Sequence, residues 1–196
     1  MAKIMIRQII LTTLLVLSWG VADAAAPAEK GAYIGAGFGS TTLDDDDFFS
    51  DYGWTLDDSD SGFEGFVGYK FFKYLAVEVR YGDFGTFTVA DPFWGGSVEL
   101  DGSVVSVHAV GIIPFADSGW ELFGQLGTGT VDFSLPGEFS ESENAGSAGM
   151  GIRYSFTENL SMGLQLDAYA YEEEGDWGET YDIGVVQTAI TIRFSF

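Results

Sequence analysis

The fold of this chain is decided by its last eleven residues, Val186-Gln187-Thr188-Ala189-Ile190-Thr191-Ile192-Arg193-Phe194-Ser195-Phe196. Apolar side chains and threonine occupy every second position up to Phe196, whereas the intervening positions include Gln187, Arg193 and Ser195. A period of two predicts a β-strand with two unlike faces. A soluble protein rarely ends on such an aromatic strand. A transmembrane β-barrel has a reason to, because its last strand pairs with its first and leaves no open edge.

The amino-terminal residues have the layout of a secretory signal. Lys3 and Arg7 precede an apolar run at 9–17, and small residues follow at 22–24. This order predicts cleavage after Ala24, with residues 1–24 as the signal and 25–196 as one domain. The alternative is a retained membrane helix, but the apolar run is shorter than the ~20 residues that such a helix needs.

Composition narrows the class of protein further. The chain contains 27 Gly, 4 Pro, no Cys and 16% aromatic residues, which is typical of many short strands and turns. An exported domain without disulfides must gain its stability elsewhere, and a closed sheet embedded in lipid is one source. The net charge of −22 argues against binding to nucleic acid, because little in the chain could neutralise phosphates.

Alternation along 25–196 predicts eight strands with unequal connections. The approximate strands are 32–40, 62–72, 75–84, 99–113, 120–131, 146–156, 160–170 and 183–196. The connections at 73–74, 114–119 and 157–159 are short, and those at 41–61, 85–98, 132–145 and 171–182 are long. Short turns at one end and long loops at the other are typical of outer-membrane barrels. The sequence therefore predicts an all-β, eight-stranded antiparallel transmembrane up-and-down barrel with both termini on the periplasmic side.

One face of every predicted strand is apolar, and the other face carries the charges. The charged residues of the second face are Glu64, Lys70, Glu78, Arg80, Glu121, Arg153, Asp167 and Arg193. Alternation alone would also fit a soluble barrel with its apolar face inside. The terminal Phe196, the unequal connections, and a polar face whose four acids balance four bases in so acidic a chain favour the inverted arrangement. We therefore expect an apolar outside and a polar inside.

The interior of an eight-stranded barrel has room only for side chains. The eight charged residues are therefore expected to form an ionic and hydrogen-bonded plug in the periplasmic half of the barrel. A narrow or gated channel is the alternative interpretation of the same polar face.

Several segments carry a family resemblance. They are 31–39, Gly68-Tyr69-Lys70-Phe71 with 75–81, the segments 149–154 and 157–160, and the closing Arg193-Phe194-Ser195-Phe196. In this order they resemble the small outer-membrane β-barrel proteins related to outer-membrane proteins A and X. The resemblance implies the same fold, and it implies that Phe196 is the signal read by the barrel-assembly machinery. It implies no single activity, because the family includes structural, adhesive, slightly conductive and enzymatic members. The chain departs from the family pattern at Gln165, where an acid is common, although Asp167 follows.

The predicted long loops are acidic. Their carboxylates are Asp44-Asp45-Asp46-Asp47, Asp51, Asp57, Asp58, Asp60, Glu138, Glu141, Glu143, Glu172-Glu173-Glu174, Asp176, Glu179 and Asp182. Carboxylates can bind Ca²⁺ or Mg²⁺, but the first loop lacks the spacing of an EF-hand, and runs of acids are usually solvated. We expect diffuse divalent cations at these loops, with no ordered metal and no cofactor.

An enzymatic interpretation depends on His108, the single histidine of the chain, and on Ser106. Some small outer-membrane barrels hydrolyse lipids with a histidine, a serine and an acid. Residues two apart on a strand, however, have Cα atoms ~7 Å apart, and both side chains face inward here. We expect His108 to be part of the interior network and the protein not to be an enzyme. The function indicated is a structural or surface-interaction barrel whose partners are outer-membrane lipid and the assembly machinery.

Overall fold

The computed structural model describes residues 29–44, 54–91, 96–115, 118–135, 138–174 and 180–196. The predicted signal at 1–24 lies outside these residues. The strands are β1 (Gly31–Asp44), β2 (Thr55–Asp57), β3 (Ser59–Phe72), β4 (Leu75–Asp91), β5 (Gly96–Pro114), β6 (Trp120–Leu135), β7 (Glu138–Ser155), β8 (Leu160–Glu174) and β9 (Thr180–Ser195). Within the described ranges, no helix is long and apolar enough to cross a bilayer.

The eight long strands close into an antiparallel barrel, and the short β2 adds to the end of β4. The first and last strands pair as predicted, with Tyr33 opposite Ser195 and Ile34 opposite Phe194. The predicted fold, an eight-stranded antiparallel barrel, is therefore confirmed. Closure leaves the long strands without an open edge, which is what a sheet in lipid requires.

The register fixes the tilt of the strands. Starting from Tyr33, successive partners around the barrel are Gly68, Glu78, His108, Gly127, Ser147, Tyr169, Val185 and finally Leu43. One circuit thus returns to β1 ten residues further along the strand. With ~3.3 Å per residue and strands ~4.8 Å apart, this stagger corresponds to a tilt of about 40° from the barrel axis. Residues in register are therefore not level in the barrel.

Three of the predicted long loops are mostly strand. β4 continues to Asp91 and β5 begins at Gly96, β6 continues to Leu135 and β7 begins at Glu138, and β8 continues to Glu174 and β9 begins at Thr180. The predictions of loops at 85–98, 132–145 and 171–182 were wrong over most of their length. In β4 the reason is a β-bulge between Asp83 and Gly85, which interrupts the alternation on which the prediction depended.

The bulge in β4 is held by glycine and by a carboxylate from the neighbouring strand. Gly85 has a φ of 81°, a left-handed conformation that glycine adopts without strain. Asp60 on β3 accepts hydrogen bonds from the amides of Ser61 and Thr86, each at 2.7 Å. The strand therefore continues beyond the bulge with its backbone groups bonded.

The barrel has two halves with opposite polarity. We call the half that contains the β3–β4, β5–β6 and β7–β8 connections the turn-side half, and the other the loop-side half. In the turn-side half, outward side chains are apolar and inward ones are largely polar; Leu126 is 70% exposed and Arg80 is 1% exposed. No charged side chain projects outward from the described strand residues of this half.

In the loop-side half the polarity of the two faces reverses. The outward face of β1 changes from Ile34 and Phe38 to Ser40 and Thr42. The interior of the same half is an apolar cluster, which we call the loop-side core. Its residues are Leu43, Phe84, Phe87, Val104, Val131, Ala145, Tyr169, Ile183 and Val185.

Candidate functional site

The barrel interior holds all eight charged residues that the sequence assigns to the inward face. None of them is more than 4% exposed. They do not form one plug; they divide into two clusters of unequal composition. We call these the acidic cluster (Glu64, Glu78, Arg80 and Asp167) and the basic cluster (Lys70, Glu121, Arg153 and Arg193).

The acidic cluster has Arg80 at its centre. The guanidinium donates to Glu64 at 2.8 Å and to Asp167 at 2.7 Å, and it also bonds Glu78. Gln165 donates to Glu64 at 3.3 Å. Three carboxylates therefore surround one formal positive charge, and the arginine holds strands β3, β4 and β8 together.

The basic cluster has the reverse composition. Glu121 accepts a hydrogen bond from Lys70 at 2.7 Å and another from Arg193 at 3.2 Å, and Arg153 lies 3.8 Å from it. Arg193 also donates from Nε to the hydroxyl of Ser161 at 3.2 Å. Three cations therefore share one carboxylate.

An aromatic layer contacts both clusters. Tyr33, Phe66 and Phe123 pack together with Ala76, Val110 and Ile112, and the ring centre of Phe66 lies 5.1 Å from the Arg80 guanidinium. The Arg193 guanidinium lies 5.1 Å from the ring centre of Tyr33, and that of Arg153 lies 4.4 Å from the ring of Phe123. The Tyr33 hydroxyl donates to Glu78 at 3.0 Å, so this residue connects the clusters. Cation–π contacts and hydrogen bonds thus link the cations and the layer.

The division into two clusters follows from the stagger of the strands. If depth in the barrel is judged only by the number of residues between a side chain and the nearest strand end, Glu78 is expected at the same depth as the bases of the basic cluster. In the register, however, Lys70 lies opposite Ala76, and Glu78 lies opposite Gly68, two residues further from the turn. Glu78 therefore reaches Arg80 on its own strand, and Glu121 alone remains with the bases.

The sequence interpretation missed the aromatic members of the interior. The signal that could have found them is the presence of glycines on neighbouring strands. A Cβ at Gly68 would overlap the ring of Tyr33, and a Cβ at Gly151 would overlap the ring of Phe123. Inward glycines thus leave the space into which large side chains of adjacent strands lie flat.

His108 lies inside the barrel with 1% exposure. Its Nε2 atom is 2.8 Å from the hydroxyl of Ser147 on β7, two strands away. The partner is thus a residue that the sequence interpretation did not pair with it, whereas Ser106 occupies the next inward position of the same strand. The arrangement is a hydrogen bond within a packed interior.

Six of the seventeen acidic residues assigned to the predicted long loops lie outside the described part of the chain: Asp45, Asp46, Asp47, Asp51, Asp176 and Glu179. Within the residues that the structure does describe, no group of three or more acids or histidines is placed to hold a metal ion.

Comparison with known proteins agrees with this geometry. The outer membrane protein beta-barrel domain family matches residues 11–194. No curated protein sequence matches the chain significantly. Among solved structures, the outer membrane protein OprG from Pseudomonas aeruginosa is similar with a TM-score of 0.61 and 15% identity, over 87% of this chain and 98% of that one.

Two further solved structures show the same fold. Neisserial surface protein A gives a TM-score of 0.59 at 13% identity, over 85% of this chain and 97% of that one. The amino-terminal barrel domain of OprF from Pseudomonas aeruginosa gives 0.54 at 16% identity, over 86% and 99%. With its closed barrel, apolar outer face and polar interior, the chain belongs to the outer membrane protein beta-barrel domain family.

Proposed function

We propose that this protein is a closed, non-conducting barrel that supports the outer membrane and presents an acidic surface to the outside. The observation that carries the proposal is the loop-side core. Phe84, Phe87 and Val104 are each 0% exposed, so the interior is filled with apolar side chains above the charged clusters. Ions crossing the barrel would have to pass an apolar layer in which their hydration could not be replaced.

The turn-side half is the part of the barrel that spans the bilayer in this proposal. Aromatic side chains gather near its turns: the half-buried Trp120 and Tyr154 have ring centres 4.9 Å apart, and the exposed Phe194 and Phe196 have ring centres 5.3 Å apart. Such rings are enriched where a barrel crosses the membrane interface. The loop-side half, with hydroxyls and carboxylates outward, then extends into water. The turns and both termini lie in the periplasm.

Export and assembly follow from the same arrangement. Residues 1–24 would be removed as a secretory signal, and Phe196 at the end of the closing strand would be recognised by the barrel-assembly machinery. Mass spectrometry of the protein purified from outer membranes tests the first part, since the mature chain is expected to begin at Ala25.

The exposed acidic residues of the loop-side half make its surface negatively charged. Asp44, Asp58, Glu99 and Asp101 are exposed among the described residues. We propose that they attract divalent cations diffusely at the cell surface, as solvated carboxylates do. Enzymatic activity is not part of the proposal, because His108 and Ser147 are packed inside the barrel, away from lipid.

Conductance in a planar bilayer tests the closed barrel directly. The refolded protein is expected to produce no stepwise current at moderate voltage. Insertion is checked on the same preparation by the mobility difference between unboiled and boiled samples on a gel. A Phe84→Ala, Phe87→Ala double variant shows whether opening the loop-side core alone creates a current. Regular conductance steps from the unaltered protein would contradict the proposal and favour a narrow channel.

A further inference from the structure

The basic cluster is short of negative charge. Lys70, Arg153 and Arg193 are each 3% or 4% exposed, and Glu121 is the one carboxylate among them. Buried charges are normally paired, because an unpaired ion loses its hydration without compensation. The cluster therefore carries an excess of two positive charges in a place where water compensates them poorly.

Arg153 shows where the deficit lies. Glu121 uses its Oε1 for Lys70 and its Oε2 for Arg193. Arg153 approaches Oε2 only to 3.8 Å, and its Nε has no hydrogen-bond partner in the described structure. The Arg153 guanidinium is 3% exposed and stacks on the ring of Phe123, but among the described residues its N–H groups do not donate the paired hydrogen bonds that arginine normally forms.

The acidic cluster does not supply the missing charge. Its three carboxylates are already bonded to Arg80, and the ring of Phe66 packs on that guanidinium with its centre 5.1 Å away. The link through the Tyr33 hydroxyl delivers a donor to Glu78 and no acceptor to the bases. The partner of the excess cations must therefore come from the other direction, the turn-side mouth of the barrel.

The mouth is lined by further donors. Ser155, Ser161 and Ser195 lie on the inward face at the turn-side ends of β7, β8 and β9, and Ser155 is in register with Ser161. Their exposures are 2%, 2% and 7%. The three bases keep a trace of accessibility, whereas Glu121 has none. The turn-side end of the interior thus carries cationic and hydroxyl donors around one carboxylate, that of Glu121.

We propose that the turn-side mouth binds a small inorganic anion between Lys70, Arg153 and Arg193, with the serine hydroxyls as additional donors. Guanidinium and ammonium groups beside hydroxyls are the donor set that recognises phosphate and similar anions. The anion completes the charge of the basic cluster, and Arg153 gains the hydrogen bonds that Glu121 cannot give it. The proposal does not depend on whether the barrel conducts, because the anion reaches the turn-side mouth directly from solution in either case.

NMR of the arginine side chains can follow anion binding at this site, because few arginines contribute signals. Residues 25–196 contain three arginines, and one of them, Arg80, lies in the acidic cluster of the same interior. The refolded protein in an uncharged glucoside detergent is labelled with ¹⁵N at arginine Nε. Sodium phosphate, and separately sodium chloride, is added while the ionic strength is held constant with a bulky sulfonate salt.

The expected result is a saturating shift of the Nε resonances of Arg153 and Arg193 with at least one of the two anions, while Arg80 does not move. The proposal is overturned if neither anion gives a saturating shift. A linear drift of all three resonances would equally overturn it, because that drift reports bulk salt.

A matched pair of variants locates the site. Lys70→Gln removes a base of the cluster, and Lys73→Gln removes an exposed base three residues away in the β3–β4 turn. The Lys70→Gln variant is expected to weaken anion binding at least several-fold, and the Lys73→Gln variant to leave it unchanged. An equal loss in both would assign the shift to general surface charge and contradict the proposal. If the Lys70→Gln variant does not fold, the titration of the unaltered protein still decides whether the anion binds.

Discussion

The same strands build the turn-side and loop-side halves of this barrel, but the polarity of their inward and outward faces is opposite in the two halves. In the turn-side half the inward positions hold Arg80 and Glu121 while Leu126 points outward. In the loop-side half the inward positions hold Phe84 and Val131 while outward positions become serine, threonine and aspartate. In β1 and β6 the side chains keep alternating without interruption, but the apolar ones face mostly outward in the turn-side half and inward in the loop-side half. The difference is what we expect if, as proposed, the outer solvent changes at that level from lipid to water.

The two halves are also stabilised differently. Hydrogen bonds and ion pairs hold the turn-side interior together around a small aromatic layer, and in the proposed arrangement the lipid outside removes any hydrophobic reason to bury the outward apolar groups. The loop-side half gains stability as a soluble protein does, by removing apolar side chains from water. Substitutions of the same kind should therefore have different effects in the two halves.

Removing Arg80 should have the largest effect, because three carboxylates would stay buried without their cation. Breaking a buried ion pair from one side costs about 3–5 kcal/mol. We expect Arg80→Met to lower the free energy of unfolding in urea by that amount, or to prevent refolding. Lys73→Met, which removes an exposed base, should change it by less than about 0.5 kcal/mol. A loss below about 1 kcal/mol for Arg80→Met would mean that the acidic cluster is not a buried network.

An arginine placed on the outer face should distinguish lipid from water. Leu126 and Thr130 lie on the same face of β6, four residues apart. Leu126→Arg should cost about 2–4 kcal/mol in a bilayer, and Thr130→Arg about 0–1 kcal/mol. Urea unfolding of both variants in lipid vesicles provides the measurement. Equal costs would place both positions in the same solvent and remove the boundary between the halves.

A buried hydroxyl should be costly in the loop-side core. Val131 is 1% exposed among apolar neighbours, and threonine has nearly the same shape. Val131→Thr should cost about 1–3 kcal/mol, because the new hydroxyl loses water without a new partner. Val98→Thr is the control, since Val98 is 49% exposed and its change should stay within about 0.5 kcal/mol. An unaffected Val131→Thr variant would indicate that water enters the loop-side core.

The sequence predicted those features that depend on local alternation. The closing strand, the apolar outer face at Ile34 or Leu126, and the inward position of Arg193 all follow from a period of two. The division of charges did not follow, because the partner of Glu78 depends on a stagger that accumulates around the whole barrel. The strand ends beyond Gly85 were also missed, since the bulge shifts the alternation and places Phe84 and Phe87 on the same inward face. Tyr33 and Phe123 became recognisable only when the register placed glycines beside them.

The depth of single labels on β1 tests most directly whether the two halves lie in different solvents. The chain has no cysteine, so Ile34→Cys and Thr42→Cys can each carry one environment-sensitive dye on the same outward face. In vesicles with quenchers attached to the acyl chains, we expect strong quenching and blue-shifted emission at position 34. At position 42 we expect emission typical of water and little quenching. Equal quenching at the two positions would contradict the assignment of the loop-side half to water.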